Sequence, residues 1–255
     1  MSTTTSAGAR LRVGEIFGVS FKVLSRNAAA FGVLALIFSL PWEVYWDYAT
    51  YFADFDPGDA DPLAKVAESI AMTVAQSALT GLAAGAIAYG TFQDLNDQPA
   101  GFGICIRRGL ALVAPVIVVV LLSSLLTFVG YMAIAIPGLI IYTTLWLVVP
   151  VTVVERPGII NSLRRSSMLT KGCRWQIFGM ILILAAADAG TLWSIETLAA
   201  PNETTIASFL PYFFMSLGAT AVLTAFEAVV TTVTYYKLRV AKEGTAIAEI
   251  ARVFD

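Results

Sequence analysis

One carboxylate of this chain is a candidate functional group because it lies well inside a long apolar stretch, away from both ends. Glu227 lies within residues 206–236, where the surrounding side chains are mostly apolar. Ionisable groups at membrane depth are costly, and by default they mark a functional site. Polar residues recur every three or four positions around it and therefore share one helical face. They are Ser216, Thr220, Thr224, Glu227, Thr231 and Thr234.

A second polar stripe occurs in an earlier apolar segment, at Ser69, Thr73, Gln76 and Thr80. We expect the two stripes to face each other or to line one cavity. Asp188 is a further carboxylate inside an apolar stretch. The predicted intramembrane site therefore comprises Glu227, Thr224, Thr231, Gln76 and Asp188. The alternative is that Glu227 is protonated and packed by threonine hydroxyls, in which case it stabilises the fold only.

Composition excludes several other kinds of site. The chain has no histidine, which removes histidine-based zinc sites and Ser-His-Asp or Cys-His nucleophile pairs. A formal charge of −2 argues against nucleic-acid binding, which needs a basic surface. A metal held by Asp188 and Glu227 is disfavoured because the two residues are expected at different depths. We therefore predict no catalytic residue, no metal and no cofactor.

The elements that position these residues are predicted to be membrane-spanning helices. Of 255 residues, 58% are hydrophobic and 13% charged, whereas soluble domains have about 25% charged residues. A span needs about 20 apolar residues. Six stretches qualify, at 28–48, 67–92, 110–133, 138–154, 175–198 and 206–236. The sequence predicts one all-α membrane domain over residues 1–255, with Gly130 and Pro137 breaking the third stretch from the fourth.

Orientation follows from the basic residues. With six crossings, 15 of the 16 Lys and Arg residues fall on the side of both termini, and only Lys65 falls on the other. The positive-inside rule makes the first side cytoplasmic. The opposite side receives an acidic loop from Asp47 to Asp61, beside aromatic residues at 42–51 that resemble an interfacial belt.

Three further segments are predicted to lie along the cytoplasmic surface as helices: residues 10–26, residues 157–171 and the tail at 245–255, which Gly244 would separate from the last crossing. In residues 157–171, the outer face is expected to carry Asn161, Arg164, Arg165, Met168 and Lys171. Arg164, Arg165, Lys171 and Arg174 are the predicted lipid-headgroup residues. Glu155 and Arg156, just before this segment, are expected to pair. A shorter and weaker surface segment is predicted at residues 99–108, so that a surface segment would precede each of three pairs of crossings. This order suggests a threefold repeat, although any cytoplasmic interfacial helix is basic and amphipathic.

Two motifs resemble a known group. The segment VVERPGIINSLRRSSMLTKGCRWQIFGMILIL and the ending YYKLRVAKEG are similar to bacterial multi-pass proteins related to the membrane domain of glycerophosphoryl diester phosphodiesterases. The residues that carry the likeness in the first motif are Pro150, Glu155, Ser162, Arg165, Ser166, Leu169, Thr170, Gly172 and Trp175. The resemblance implies a helical bundle of the bacterial inner membrane linked to lipid or envelope biology. It does not imply the phosphodiesterase activity, which needs histidines.

Three functional hypotheses follow. The first is a non-catalytic inner-membrane protein that contacts anionic lipid or another membrane protein. The alternative is a transporter or permease that uses the Glu227 carboxylate and its polar stripe. A membrane enzyme ranks last, since no catalytic motif is present.

Overall fold

A computed structural model describes residues 11–51, 62–98, 103, 105–107, 112–133, 135–199 and 206–254. Within these residues the chain forms helices and no strands. The helices are α1 (Val13–Arg26), α2 (Ala28–Tyr51), α3 (Pro62–Asp94), α4 (Val113–Ala133), α5 (Ala135–Leu145), α6 (Val148–Val154), α7 (Ile159–Thr170), α8 (Arg174–Ala199) and α9 (Ile206–Phe254).

Six spans in the described residues are long and apolar enough to cross a membrane, which confirms the predicted six apolar helices and indicates a multi-pass membrane protein. They are Ala28–Tyr51, Glu68–Asp94, Val113–Ala133, Ile136–Val154, Arg174–Ala199 and Phe209–Gly244. Large apolar side chains such as Leu125, Val129 and Trp193 are exposed on their outer surfaces. Such surfaces suit lipid rather than water.

Helix α9 forms the centre of the bundle. It contacts α1, α2, α3, α6, α7 and α8, and its residues Val229, Val233, Tyr235 and Leu238 are fully buried. The helix continues through Gly244 to Phe254, so the prediction that Gly244 separates a distinct tail helix is wrong. Glycine costs only about 1 kcal/mol inside a helix, and Ala241, Lys242, Glu243 and Ala246 around it are good helix formers.

The α4–α5 hairpin depends on a close approach of two glycines. A Cβ atom at Gly138 would lie 2.7 Å from the backbone nitrogen of Tyr131, and one at Gly130 would lie 2.9 Å from the Cα of Gly138. Helix α4 continues past Gly130 to Ala133. Gly130 therefore does not break the helix, contrary to the sequence-based expectation. Pro137 occupies the first turn of α5, where its missing N–H costs no helix hydrogen bond.

The fourth span is not one continuous helix. It is interrupted at Trp146 and Leu147, between α5 and α6. Pro150 favours the interruption, because in a regular helix its ring crowds the carbonyl of Trp146 and it has no N–H to donate to that carbonyl. The carbonyl of Thr144 at the end of α5 accepts a hydrogen bond from the Ser166 hydroxyl of α7 at 2.8 Å.

Helix α1 packs against α9 and, more lightly, α2. It buries Ile16, Ser20 and Val23, while Phe21 is exposed. The Lys237 ammonium of α9 donates a hydrogen bond to the Glu15 carboxylate at 2.5 Å. This bond, together with the charge of Lys237, holds the pKa of Glu15 below its ordinary value.

The α2 helix also includes Asp47, which the sequence had suggested for an external acidic loop. Asp47 is almost fully buried in α2. The rest of the proposed loop, residues 52–61, lies outside the described residues, as does most of the middle surface segment at 99–108. The threefold repeat stays a prediction: α1 precedes α2 and α3, and α7 precedes α8 and α9 in the same manner.

Candidate functional site: an intramembrane cavity around Glu227

A cavity of about 540 Å³ lies between α3, α4, the α5–α6 pair and α9. This volume falls within the range of small-molecule sites in proteins. Its described wall includes nine serine and threonine hydroxyl groups. They come from Thr73, Ser77 and Thr80 of α3, from Ser123, Ser124 and Thr127 of α4, and from Thr224, Thr231 and Thr232 of α9.

Many of these hydroxyl protons are already used by the helices that carry them. Thr73 donates to the Ser69 carbonyl at 2.8 Å, Thr80 to the Gln76 carbonyl at 2.9 Å, and Thr231 to the Glu227 carbonyl at 2.8 Å. Serine and threonine commonly bond back to the preceding turn in this way. The oxygen lone pairs that remain are acceptors, so these positions offer the cavity acceptors rather than donors.

Glu227 is the one carboxylate on the described wall of this cavity, and its side chain is open to the cavity space. Within the part of the chain that the structure describes, no side chain donates a hydrogen bond to this carboxylate or forms an ion pair with it. The threonine hydroxyl expected to pack around it, that of Thr231, bonds to the backbone instead. This arrangement argues against a purely structural role, because a structural carboxyl group is normally hydrogen-bonded.

A smaller cavity of about 150 Å³ lies on the other side of Glu227. It is lined by Asp188 and Leu184 of α8, by Leu223 of α9 and, again, by Tyr142 and Glu227. The Tyr142 and Glu227 side chains therefore border both cavities. Asp188 and Glu227 border the same space despite their expected difference in depth.

The predicted site residues are thus brought together in part. Glu227, Thr224 and Thr231 line the large cavity, and Asp188 lines the small one. Gln76 is exposed and lines neither, because its neighbour Ser77 takes the inward position on α3. The expectation that Thr73 and Thr80 share a cavity with the α9 stripe is met.

The rest of the α9 stripe faces other helices. Near one end, Thr220 is hydrogen-bonded to the carboxylate of Glu43 on α2. Glu43 and Asp47 are both buried, and the Oδ2 atom of Asp47 has no hydrogen-bond partner among the residues that the structure describes. At the other end, the Thr234 hydroxyl donates to the Val230 carbonyl at 2.7 Å and is buried. Only the middle of the stripe therefore belongs to the cavity.

Sequence reasoning missed the aromatic part of the wall. Phe128, Tyr131, Tyr142 and Trp146 line the large cavity from α4 and the α5–α6 region. In the sequence these residues lie in an apolar block and look like ordinary membrane-helix residues. The i, i+4 pair Ser123 and Thr127 was the available signal that this block has a polar face.

A ring of hydrogen bonds lies at the end of the bundle that carries α7 and residues 235–243 of α9, which we call the basic end. Arg165 donates to Glu155 at 2.9 Å and to Glu243, and Arg239 donates to Glu243 at 2.9 Å. Arg239 also donates to the Tyr235 hydroxyl at 3.2 Å, and Tyr235 donates to Glu155 at 2.9 Å, which closes the ring. Both motifs of the family resemblance meet in this ring.

The ring corrects two predictions. Arg165 does not lie on the outer face of α7 but turns inward, so it is not free to bind a lipid headgroup. Glu155 pairs with Arg165 and not with Arg156, which is exposed. Partial burial disfavours the charge of Arg165, but the hydrogen bonds to Glu155 and Glu243 outweigh it and raise the pKa of Arg165.

The other predicted cations stay on the surface, on α7, just after it and at the start of α8. Arg164, Lys171 and Arg174 are exposed. Beside them Ile160 is 70% exposed and Trp175 83% exposed. Lys242 caps α7 by donating to the carbonyls of Met168 at 3.0 Å and Lys171 at 2.8 Å. This cap satisfies carbonyls that the end of a helix leaves unpaired, and Gly172 leaves the helix with a φ of +87°.

Metal binding finds no support in the described residues, where no group of three His, Cys, Asp or Glu side chains could hold an ion. Comparison with known proteins adds no assignment: no family model, no curated protein and no solved structure matches this chain.

Proposed function

We propose that this chain is a non-catalytic protein of the bacterial inner membrane with both termini in the cytoplasm. The support is the distribution of charge, with 15 of 16 Lys and Arg residues on the side of the termini under six crossings. The basic end of the bundle, with Arg164, Lys171 and Arg174, then faces the cytoplasm.

Its proposed function is transport, as a transporter or permease that binds its substrate in the cavity around Glu227. The observation that carries this proposal is the Glu227 carboxylate, which has no hydrogen bond or ion pair with the described side chains and lies in a hydroxyl-lined cavity of six apolar helices. Such a group is expensive to keep in a bilayer unless it is used. The interrupted fourth span borders the same cavity, and broken helices are typical of transporter sites.

The Glu227→Gln variant is expected to abolish substrate-dependent current. Wild-type protein in proteoliposomes would be tested by solid-supported-membrane electrophysiology against amino acids, polyols, organic anions and organic cations. At least one class should give a current that the variant loses, because the neutral amide keeps the shape and removes the charge. The absence of any wild-type current, or an equal current in the variant, would contradict the transport proposal.

A second function is supported by the surface formed by α7 and the start of α8, where Arg164, Lys171 and Arg174 are exposed together with the apolar side chains of Ile160 and Trp175. Cations next to large exposed apolar side chains suit the boundary between headgroups and acyl chains. We therefore propose contact with anionic lipid as a further role of the basic end, through Arg164, Lys171 and Arg174 and not through Arg165. Another membrane protein could use the same face.

Changing Arg164, Lys171 and Arg174 together to Gln should weaken binding of anionic phosphatidylglycerol. At about 1 kcal/mol per cation, the loss is on the order of 100-fold in affinity. Native mass spectrometry in neutral detergent would measure the retained lipid, with phosphatidylcholine as reference. The matched control exchanges Arg164→Lys, Lys171→Arg and Arg174→Lys and should bind as wild type. Equal retention of both lipids by the wild-type protein would rule out this role.

A further inference from the structure

The charge of the cavity around Glu227 selects the sign of its ligand. On the described wall, Glu227 is the one ionisable group that is charged at neutral pH in its free form, and no Lys or Arg is present. The adjoining smaller cavity adds Asp188 and again no cation. An anion would therefore meet repulsion in a medium where charges are poorly screened, whereas a cation would be attracted.

Hydrogen bonding points in the same direction. The hydroxyl groups of Thr73, Thr80 and Thr231 donate hydrogen bonds to backbone carbonyls of their own helices. Those of Thr232 and Ser123 do the same, each at 2.8 Å. These five hydroxyl groups therefore offer a ligand acceptors and no donors. A sugar or another polyol needs both, while an ammonium group has only N–H donors to offer.

Aromatic rings supply the third feature. Tyr142 borders Glu227 in both cavities, and Phe128, Tyr131 and Trp146 line the larger one. Aromatic faces attract ammonium groups, and this attraction is stronger when the groups are desolvated. A bare proton or metal ion would not need a cavity of about 540 Å³, but an organic cation would.

We propose that the cavity around Glu227 binds an organic ammonium ion, with Glu227 as its counter-charge, the hydroxyl oxygens as acceptors and the aromatic rings as its apolar contact. This inference rests on the same site as the proposed transport function and names its substrate class. The cation is either a free solute or the headgroup of an amphiphile, and the two sources are separable by experiment.

The test measures binding of triethylammonium and, in a second arm, dodecyldimethylammonium, each of which has one N–H donor, to the full chain in uncharged maltoside detergent. Intrinsic fluorescence provides the readout because Trp146 lies in the wall, and sodium chloride at equal ionic strength is the blank. We expect saturable binding that weakens at least about tenfold in Glu227→Gln. Tyr142→Leu should also weaken binding, whereas Glu196→Gln, an exposed carboxylate elsewhere on α8, should not. Tighter binding of the long-chain cation alone would identify an amphiphile as the source.

A second measurement uses the wild-type protein alone, so that its result does not depend on whether a variant folds. Carbodiimide modification of Glu227, followed by mass spectrometry, should be suppressed by saturating triethylammonium or dodecyldimethylammonium, while modification of Glu196 continues. Equal modification with and without these cations, or equal cation affinity in wild type and Glu227→Gln, would overturn the proposal.

The two proposals fail separately. Binding that depends on Glu227 without any current would leave the ammonium site standing and contradict transport. A Glu227-dependent current that only neutral or anionic solutes elicit would support transport and overturn the ammonium assignment.

Discussion

Replacing Arg165 with methionine is expected to lower the free energy of unfolding by about 3 kcal/mol, because breaking a buried ion pair leaves uncompensated charge behind. Arg165 bridges Glu155 and Glu243. Its side chain is 26% exposed and that of Glu155 16%, which places the effect at the lower end of the range for buried pairs. Denaturant unfolding in mixed micelles would measure the change.

The neighbouring arginine supplies the matched control. Arg164 is exposed on the outer face of α7, and it forms no ion pair with the described part of the chain. Arg164→Met should therefore change stability by no more than about 0.5 kcal/mol. Equal destabilisation by the two variants would mean that the ring at the basic end does not hold α7 against α9.

Gly138→Ala is expected to destabilise the α4–α5 hairpin by about 3 kcal/mol, the upper part of the range for overpacking. The added Cβ would lie 2.7 Å from the Tyr131 backbone nitrogen and 2.6 Å from its ring carbons. Backbone cannot move aside as a flexible side chain can, so the two helices must separate. Because Tyr131 and Tyr142 both line the cavity, ligand binding should weaken as well. Unfolding midpoints in detergent would measure the first effect and fluorescence titration the second.

Gly179→Ala in α8 tests whether the effect is specific to close packing. A Cβ at Gly179 meets nothing within 4 Å, so this change should be neutral or stabilising by up to about 1 kcal/mol through helix propensity. A Gly138→Ala variant as stable as Gly179→Ala would show that the two hairpin helices are not in close contact.

The sequence predicts the helices well because their signals are local. Apolar runs of about 20 residues identify the spans, and the spacing of Thr224, Glu227 and Thr231 identifies their common face. Pro150 was a readable signal for the interruption between α5 and α6, since a proline disfavours the helical turn that precedes it, although α2 continues through Pro41.

Tertiary relationships could not be read in the same way. Arg164 and Arg165 are adjacent, alike in type and about 100° apart around α7, and only the positions of Glu155 and Glu243 decide which one turns inward. Gln76 and Ser77 present the same problem on α3. The aromatic wall depends on how tightly α4 and α5 cross, which Gly130 and Gly138 set jointly.

The most direct test of this account compares single cysteines at Val222 and Thr224 in membranes, after Cys105→Ala and Cys173→Ala remove the native thiols. Val222 is 60% exposed on the outer surface of α9, while Thr224 lines the cavity. If the bundle spans a bilayer around a hydrated cavity, a small hydrophilic thiol reagent should label Thr224→Cys and leave Val222→Cys, buried in lipid, unlabelled. Labelling of Val222→Cys at a rate equal to or above that of Thr224→Cys would contradict the account.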